Sequence, residues 1–196
     1  RSKFIPALEE SGYITILDTY VYQNVQEFME KECQDVPINI SVNLSRMDLM
    51  NQNIMSLILE NEGSQHINYE VTESAYSSLS VNANDFLSTL HQRGNTILMD
   101  DFGSGVSSLS TIRDFEFDII KIDMGFVRNI GHSQSNDSIL ASLIELIHRL
   151  GMKVVAEGVE TKEQLDFLKE HGCDFIQGFY FSKPLIKNDF KKLISN

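Results

Sequence analysis

An α/β fold on a parallel sheet is predicted for this chain by three observations. From residue 36 onward, short β-branched runs alternate with longer segments of helical periodicity, as when crossover helices join parallel strands. Gly94, Gly151 and Gly172 each follow a helical segment, where helix C-caps fall. Polar residues recur at or near the C-terminal end of six successive runs. That end is where α/β barrels build active sites and where open sheets bind ligands.

Taken in order, Ile38-Asn39-Ile40-Ser41-Val42-Asn43 delivers Asn43, and Ile67-Asn68-Tyr69-Glu70-Val71 delivers Glu70. Asn84 to Arg93 then shows apolar residues at three- and four-residue spacing and reads as a helix. Thr96 to Asp100 is the third run, followed at once by Asp101 and the turn Phe102-Gly103-Ser104-Gly105. Asp118-Ile119-Ile120-Lys121-Ile122 brings Lys121 to the same rim, while Asp118 opens its strand and falls on the opposite, structural side. Asp123 reads as a cap for the following turn. Ser138 to Leu150 is a second helix, Lys153 to Glu157 ends on Glu157, and Asp174-Phe175-Ile176-Gln177 ends on Gln177.

Size and charge narrow the options. At 196 residues and 42% hydrophobic the chain suits one domain with one sizeable core. No run of 18 apolar residues occurs, and residues 1–30 hold no signal-peptide-like stretch. The expectation is a cytoplasmic protein, or the cytoplasmic domain of a larger, even membrane-anchored, one. Cys33 and Cys173 lack partners at zinc-finger spacing and read as reduced, incidental thiols. A net charge of −12, from 16 basic and 28 acidic residues, disfavours duplex nucleic acid. It leaves room for a small phosphorylated ligand whose charge is offset by metal ions.

The chemistry centres on Asp100 and Asp101. Neighbouring side chains on a strand point to opposite faces, so the two share a site only where the strand ends and the backbone bends. Like charges held that close call for a shared proton or a cation; the competing structural reading makes Asp101 a helix cap. Carboxylates with an amide oxygen form a hard donor set that suits Mg²⁺ or Mn²⁺ better than zinc or copper. The 5 histidines fall away from the strand ends, and His148 reads as a surface or boundary residue. With Asp100 bridging two cations and Asp101 binding one, a pair about 3.5–4 Å apart would clamp both oxygens exchanged at a phosphodiester. Lys121 would hold the attacking oxygen or neutralise charge on phosphate, and Glu157 would take or orient the water proton. A lysine paired with Asp100 simply for neutralisation is the structural alternative.

Six ordered motifs carry a resemblance. They are Val42-Asn43-Leu44-Ser45, Glu70-Val71-Thr72-Glu73-Ser74, Asp100-Asp101-Phe102-Gly103, Lys121-Ile122-Asp123, Ala156-Glu157-Gly158-Val159-Glu160-Thr161 and Gln177-Gly178-Phe179. The chain resembles the EAL domain family, cyclic di-GMP phosphodiesterases of bacterial signalling, from Phe4 to Pro184. The resemblance implies a (β/α)8 TIM-like barrel that hydrolyses cyclic di-GMP to linear pGpG. It implies Asn43, Glu70 and Asp100 as ligands of one metal and Asp100 and Asp101 of the second. Lys121 and Glu157 match the catalytic positions, Gln177 a residue near metal waters and substrate, and Glu73 and Glu160 supporting positions. In the likeness Glu73 braces the loop from Phe102 to Leu109, which with the next helix makes a homodimer contact, and a GGDEF or sensory domain stands upstream.

The chain also departs from the pattern. The Glu-Ala-Leu motif and its strand are absent, so the expectation for residues 1–196 is an EAL domain lacking its first two strands, with little turnover by itself. The alternative is a catalytically inactive module that binds cyclic di-GMP or a protein partner. The stretch near Glu62-Gly63-Ser64 looks short, Val106 replaces a usual tyrosine, and Met124-Gly125 stands where a basic residue and serine are usual.

Overall fold

The computed structural model describes residues 4–33, 36–61, 66–76, 80–104 and 117–194. The chain divides into two compact units, Arg1–Ile97 and Leu98–Asn196. The short stretch at Glu62–Ser64, Val106 and most of the loop after the aspartate pair lie outside the described residues.

The first unit opens with helices α1 (Phe4–Ser11) and α2 (Ile14–Glu32). They lie before residue 36, where the alternation of runs begins; α1 buries no residue and α2 only Ile14 and Tyr22. Strand β1 (Ile40–Asn43) pairs in parallel with β2 (Ile67–Thr72), with Val42 opposite Tyr69 and Asn43 opposite Glu70. A 3₁₀ turn over Asp48–Met50, α3 (Gln52–Glu60) and α4 (Glu73–Tyr76) complete the connections. α5 (Val81–Gln92) begins at Ser80, whose side chain accepts the Ala83 N–H. It buries Ala83, Phe86, Leu87 and Leu90, one face of a 3.6-residue repeat. Gly94, at φ +88°, ends it, and the buried Asn95 amide ties this corner to Ile67 O at 3.0 Å.

β3 (Ile97–Phe102), in the second unit from Leu98 onward, β4 (Ile119–Ile122), β5 (Lys153–Ala156) and β6 (Phe175–Ile176) pair in that order, all parallel. Helix α6 (Met124–Arg128) follows β4. α7 (Gln134–Arg149) is capped by Ser133 and buries Leu140, Ile144 and Ile147 before Gly151 at φ +84°. α8 (Lys162–Glu170) starts in a Thr161–Gln164 capping box, and α9 (Lys187–Ile194) closes the described chain. Both units carry the parallel strand–helix alternation that the sequence predicts.

His148 does more than sit at a boundary. Its Nε2 lies 2.7 Å from Asp174 Oδ2, which also accepts the Val154 N–H at 2.8 Å, fastening α7 to the starts of β5 and β6. Cys33 is buried and Cys173 half-buried. Among the described residues no helix is long and apolar enough to cross a membrane.

Candidate active site

The aspartate pair is presented by a bulge. Met99 pairs with Ile120 and Phe102 with Ile122, so β3 spends one residue more than β4 over the same interval. The strand does not stop at Asp100, as the sequence suggested; it runs on to Phe102 with the bend inside it. Among the described residues, Asp101 is the one non-glycine with positive φ, at 57°. That conformation costs an L-residue about 1–2 kcal/mol. Two local bonds support it: Asp101 N–H donates to Asp100 Oδ1 at 3.0 Å, and Ser104 N–H to Asp101 O at 3.1 Å. The consequence is chemical. Carboxylate oxygens of Asp100, Asp101 and Glu157 all lie within 4.8 Å of one another, which a flat strand would forbid for adjacent residues.

Lys121 stands in this group. Its Nζ is 2.9 Å from Asp100 Oδ1 and 2.7 Å from Glu157 Oε1, and its side chain is only 5% exposed. β4 sits between β3 and β5, and the register puts Lys121 opposite Val155. A lysine that deep is tolerable only with partners to offset lost hydration. It bonds to Glu157 as well as Asp100, so the pairing is wider than the simple alternative of an Asp100 partner. Among these four side chains, three carboxylates face one ammonium. The two negative charges left over are what one divalent cation cancels, and an all-oxygen donor set is what Mg²⁺ or Mn²⁺ takes.

The remaining predicted residues have plain positions. Asn43 and Glu70 are register neighbours near the C-terminal ends of β1 and β2 in the first unit. Gln177 follows β6, its N–H bonded to Ala156 O at 2.9 Å and its carbonyl accepting the Val159 N–H at 3.1 Å, which anchors it beside the Glu157 turn. Glu160 is exposed and offers its N–H to Gln164 Oε1 at 2.8 Å, a structural contact at the start of α8. Glu73 opens α4. Asp123 caps α6 by accepting the Gly125 N–H at 2.8 Å, as its position after β4 suggested. Sequence reasoning missed the contacts that α6 makes with the glycines after Asp101 and after Glu157; their faint signal is a glycine soon after each acid.

A family model described as EAL domain matches residues 1–184, and the chain belongs to the EAL domain family. It is 34% identical over 198 residues to the probable cyclic di-GMP phosphodiesterase PdeG of Escherichia coli K12, covering 97% of this chain and 39% of that protein. Its fold is similar to that of PaMucR phosphodiesterase in its c-di-GMP complex, with TM-score 0.83 and 30% identity, over 96% of this chain and 79% of that one. Klebsiella pneumoniae BlrP1 in a manganese and cy-diGMP complex matches with TM-score 0.77 and 28% identity, over 87% of this chain and 44% of that one. These likenesses carry the barrel-type α/β class expected from the motifs. The chain spans about a quarter to two fifths of the length of the first curated relatives it matches.

Proposed function

We propose that this chain hydrolyses one phosphodiester bond of cyclic di-GMP, with two divalent cations, Mg²⁺ or Mn²⁺, giving linear pGpG. The observation that carries the reading is the buried Lys121 ammonium held between Asp100 and Glu157, with Asp101 turned into the same cluster. In this reading Asn43, Glu70, Asp100 and Asp101 are the residues that would hold the cations. The cations supply Lewis-acid polarisation of the phosphate and acidify water.

The residues of the chain do the rest. Glu157 accepts the proton of the attacking water as the water oxygen bonds to phosphorus, the P–O3′ bond breaks, and the leaving O3′ takes up a proton from solvent to become a hydroxyl. Lys121 orients that water and offsets charge growing on the phosphate oxygens. Gln177 lines the substrate side, and Glu73 and Glu160 support the turns that carry the acids. A homodimer through the loop after Asp101 belongs to the same reading, as does work in the cytoplasm, alone or beside an upstream GGDEF or sensory domain.

The experiment is product analysis by chromatography. A protein carrying this chain together with a Glu-Ala-Leu segment should convert cyclic di-GMP to pGpG with Mg²⁺ or Mn²⁺, residues 1–196 alone should turn over little, and chelation or Asp100→Asn should stop the reaction. Tight binding of cyclic di-GMP without turnover under either metal would instead mark a binding module.

A further inference from the structure

Helix α6 meets the acid-bearing segments at two points that no ligand role requires. The Phe126 ring fills the space that a Cβ on Gly103 would need; its Cζ lies 3.2 Å from that point. On the other side, Met124 Cβ lies 2.6 Å from where a Cβ on Gly158 would stand. Gly103 comes two residues after Asp101 and Gly158 one residue after Glu157. Both adopt the left-handed region, at φ +90° and +73°, so each lets the helix approach backbone directly. The Asp123 N–H also donates to Phe102 O at 3.2 Å, tying the start of α6 to the bulged strand. The bonds that support Asp101 locally span only one to three residues; α6 adds contacts reaching across from the next element.

We propose that the first turn of α6 is a positioning wedge. Phe126 keyed into Gly103 and Met124 into Gly158 set the spacing of Asp101 and Glu157 on either side of Lys121. The inference rests on the metal reading above. Without the Phe126 ring, residues 101–104 are free to relax toward ordinary extended backbone, which turns the Asp101 carboxylate away from Asp100. Met124 and Phe126 are positioning residues, acting through the backbone of their glycine partners.

Mn²⁺ binding to the full chain, followed by electron paramagnetic resonance beside thermal unfolding, tests the wedge without relying on turnover. Phe126→Ala should weaken Mn²⁺ binding by about 10- to 100-fold, the range for residues that orient metal ligands, and Phe126→Leu should recover most of it. Gly158→Ala and Gly151→Ala impose similar left-handed strain, at φ +73° and +84°, but a Cβ on Gly151 meets nothing within 4 Å. Gly158→Ala should therefore weaken Mn²⁺ binding, while Gly151→Ala lowers only the unfolding midpoint. That glycine pair decides the matter if Phe126→Ala does not fold. A folded Phe126→Ala with wild-type affinity, or equal losses in the two glycine variants, would overturn the wedge. Asp101→Asn is the reference: unchanged Mn²⁺ binding there would remove the metal reading, and the wedge with it.

Discussion

In the second unit Asp100 and Glu157 close on the buried ammonium of Lys121, whereas in the first unit Asp18 and Asp48 meet carboxyl to carboxyl. Asp48 is 1% exposed, and its Oδ2 takes hydrogen bonds from Ser45 N–H at 2.7 Å and Ser45 Oγ–H at 2.6 Å. Burial first, then the hydrogen bond to Asp48 and the charge of Asp48, push the Asp18 carboxyl up to about 8; Glu9 adds a smaller repulsion. With the Asp18 carboxyl raised that far, the two acids hold a proton between them near neutral pH, one carboxyl donating to the other. One acid group is thus held together by a lysine, with three carboxylates to one ammonium among Asp100, Asp101, Glu157 and Lys121. The other is held by a proton and is self-sufficient. In the function proposed above, the first is the group that takes a further cation.

Removing the lysine should break the contrast most severely. Lys121→Met leaves Asp100 and Glu157, 13% and 15% exposed, with no ammonium between them. Loss of one partner from such a buried pair costs about 3–5 kcal/mol, and the proposed phosphodiesterase rate should fall by about 10²–10³. Thermal unfolding and steady-state turnover would show the two effects separately.

Asp18→Asn sharpens the other half. The folded carboxyl titrates above its unfolded value of 3.8, so the folded state keeps a proton that the unfolded chain gives up between about pH 4 and 8. Stability from this proton is fully present below that window, falls through it and levels off above about 8. An asparagine does not titrate. The unfolding midpoint of the variant should gain on wild type from pH 5 to 8, then run parallel to it.

The smallest effect belongs to a pair outside both clusters. Burial raises the Asp174 carboxyl, but the hydrogen bonds from His148 and from the Val154 N–H outweigh it and hold the group below the usual aspartate range. Its support is present above the unfolded pKa and is lost as pH falls through the lower folded one. Asp174→Asn should cost about 1 kcal/mol by denaturant titration near neutrality, a difference that shrinks in acid.

Much of this was legible in the sequence, and the remainder was hidden for physical reasons. Asn43, Glu70, Asp100, Lys121, Glu157 and Gln177 announce themselves because a polar group ending an apolar run breaks the pattern of a buried strand. The bulge left only an Asp-Asp pair as its trace, since a left-handed aspartate looks like any other in sequence. Phe126 and Met124 resemble ordinary helix residues until the glycines they press against are known. The Asp18–Asp48 contact joins residues thirty positions apart in sequence, on elements with weak periodicity, so no local spacing could reveal it. α1 and α2 precede residue 36, where the strand–helix alternation that the sequence displays begins.

Mn²⁺ titration of wild type, Asp18→Asn and Asp100→Asn, read by electron paramagnetic resonance, goes to the centre of this account. Wild type and Asp18→Asn should bind the ion equally, and Asp100→Asn should bind it at least about tenfold more weakly. Equal binding by all three chains would mean that the lysine-held carboxylates are no more a cation seat than the proton-held pair.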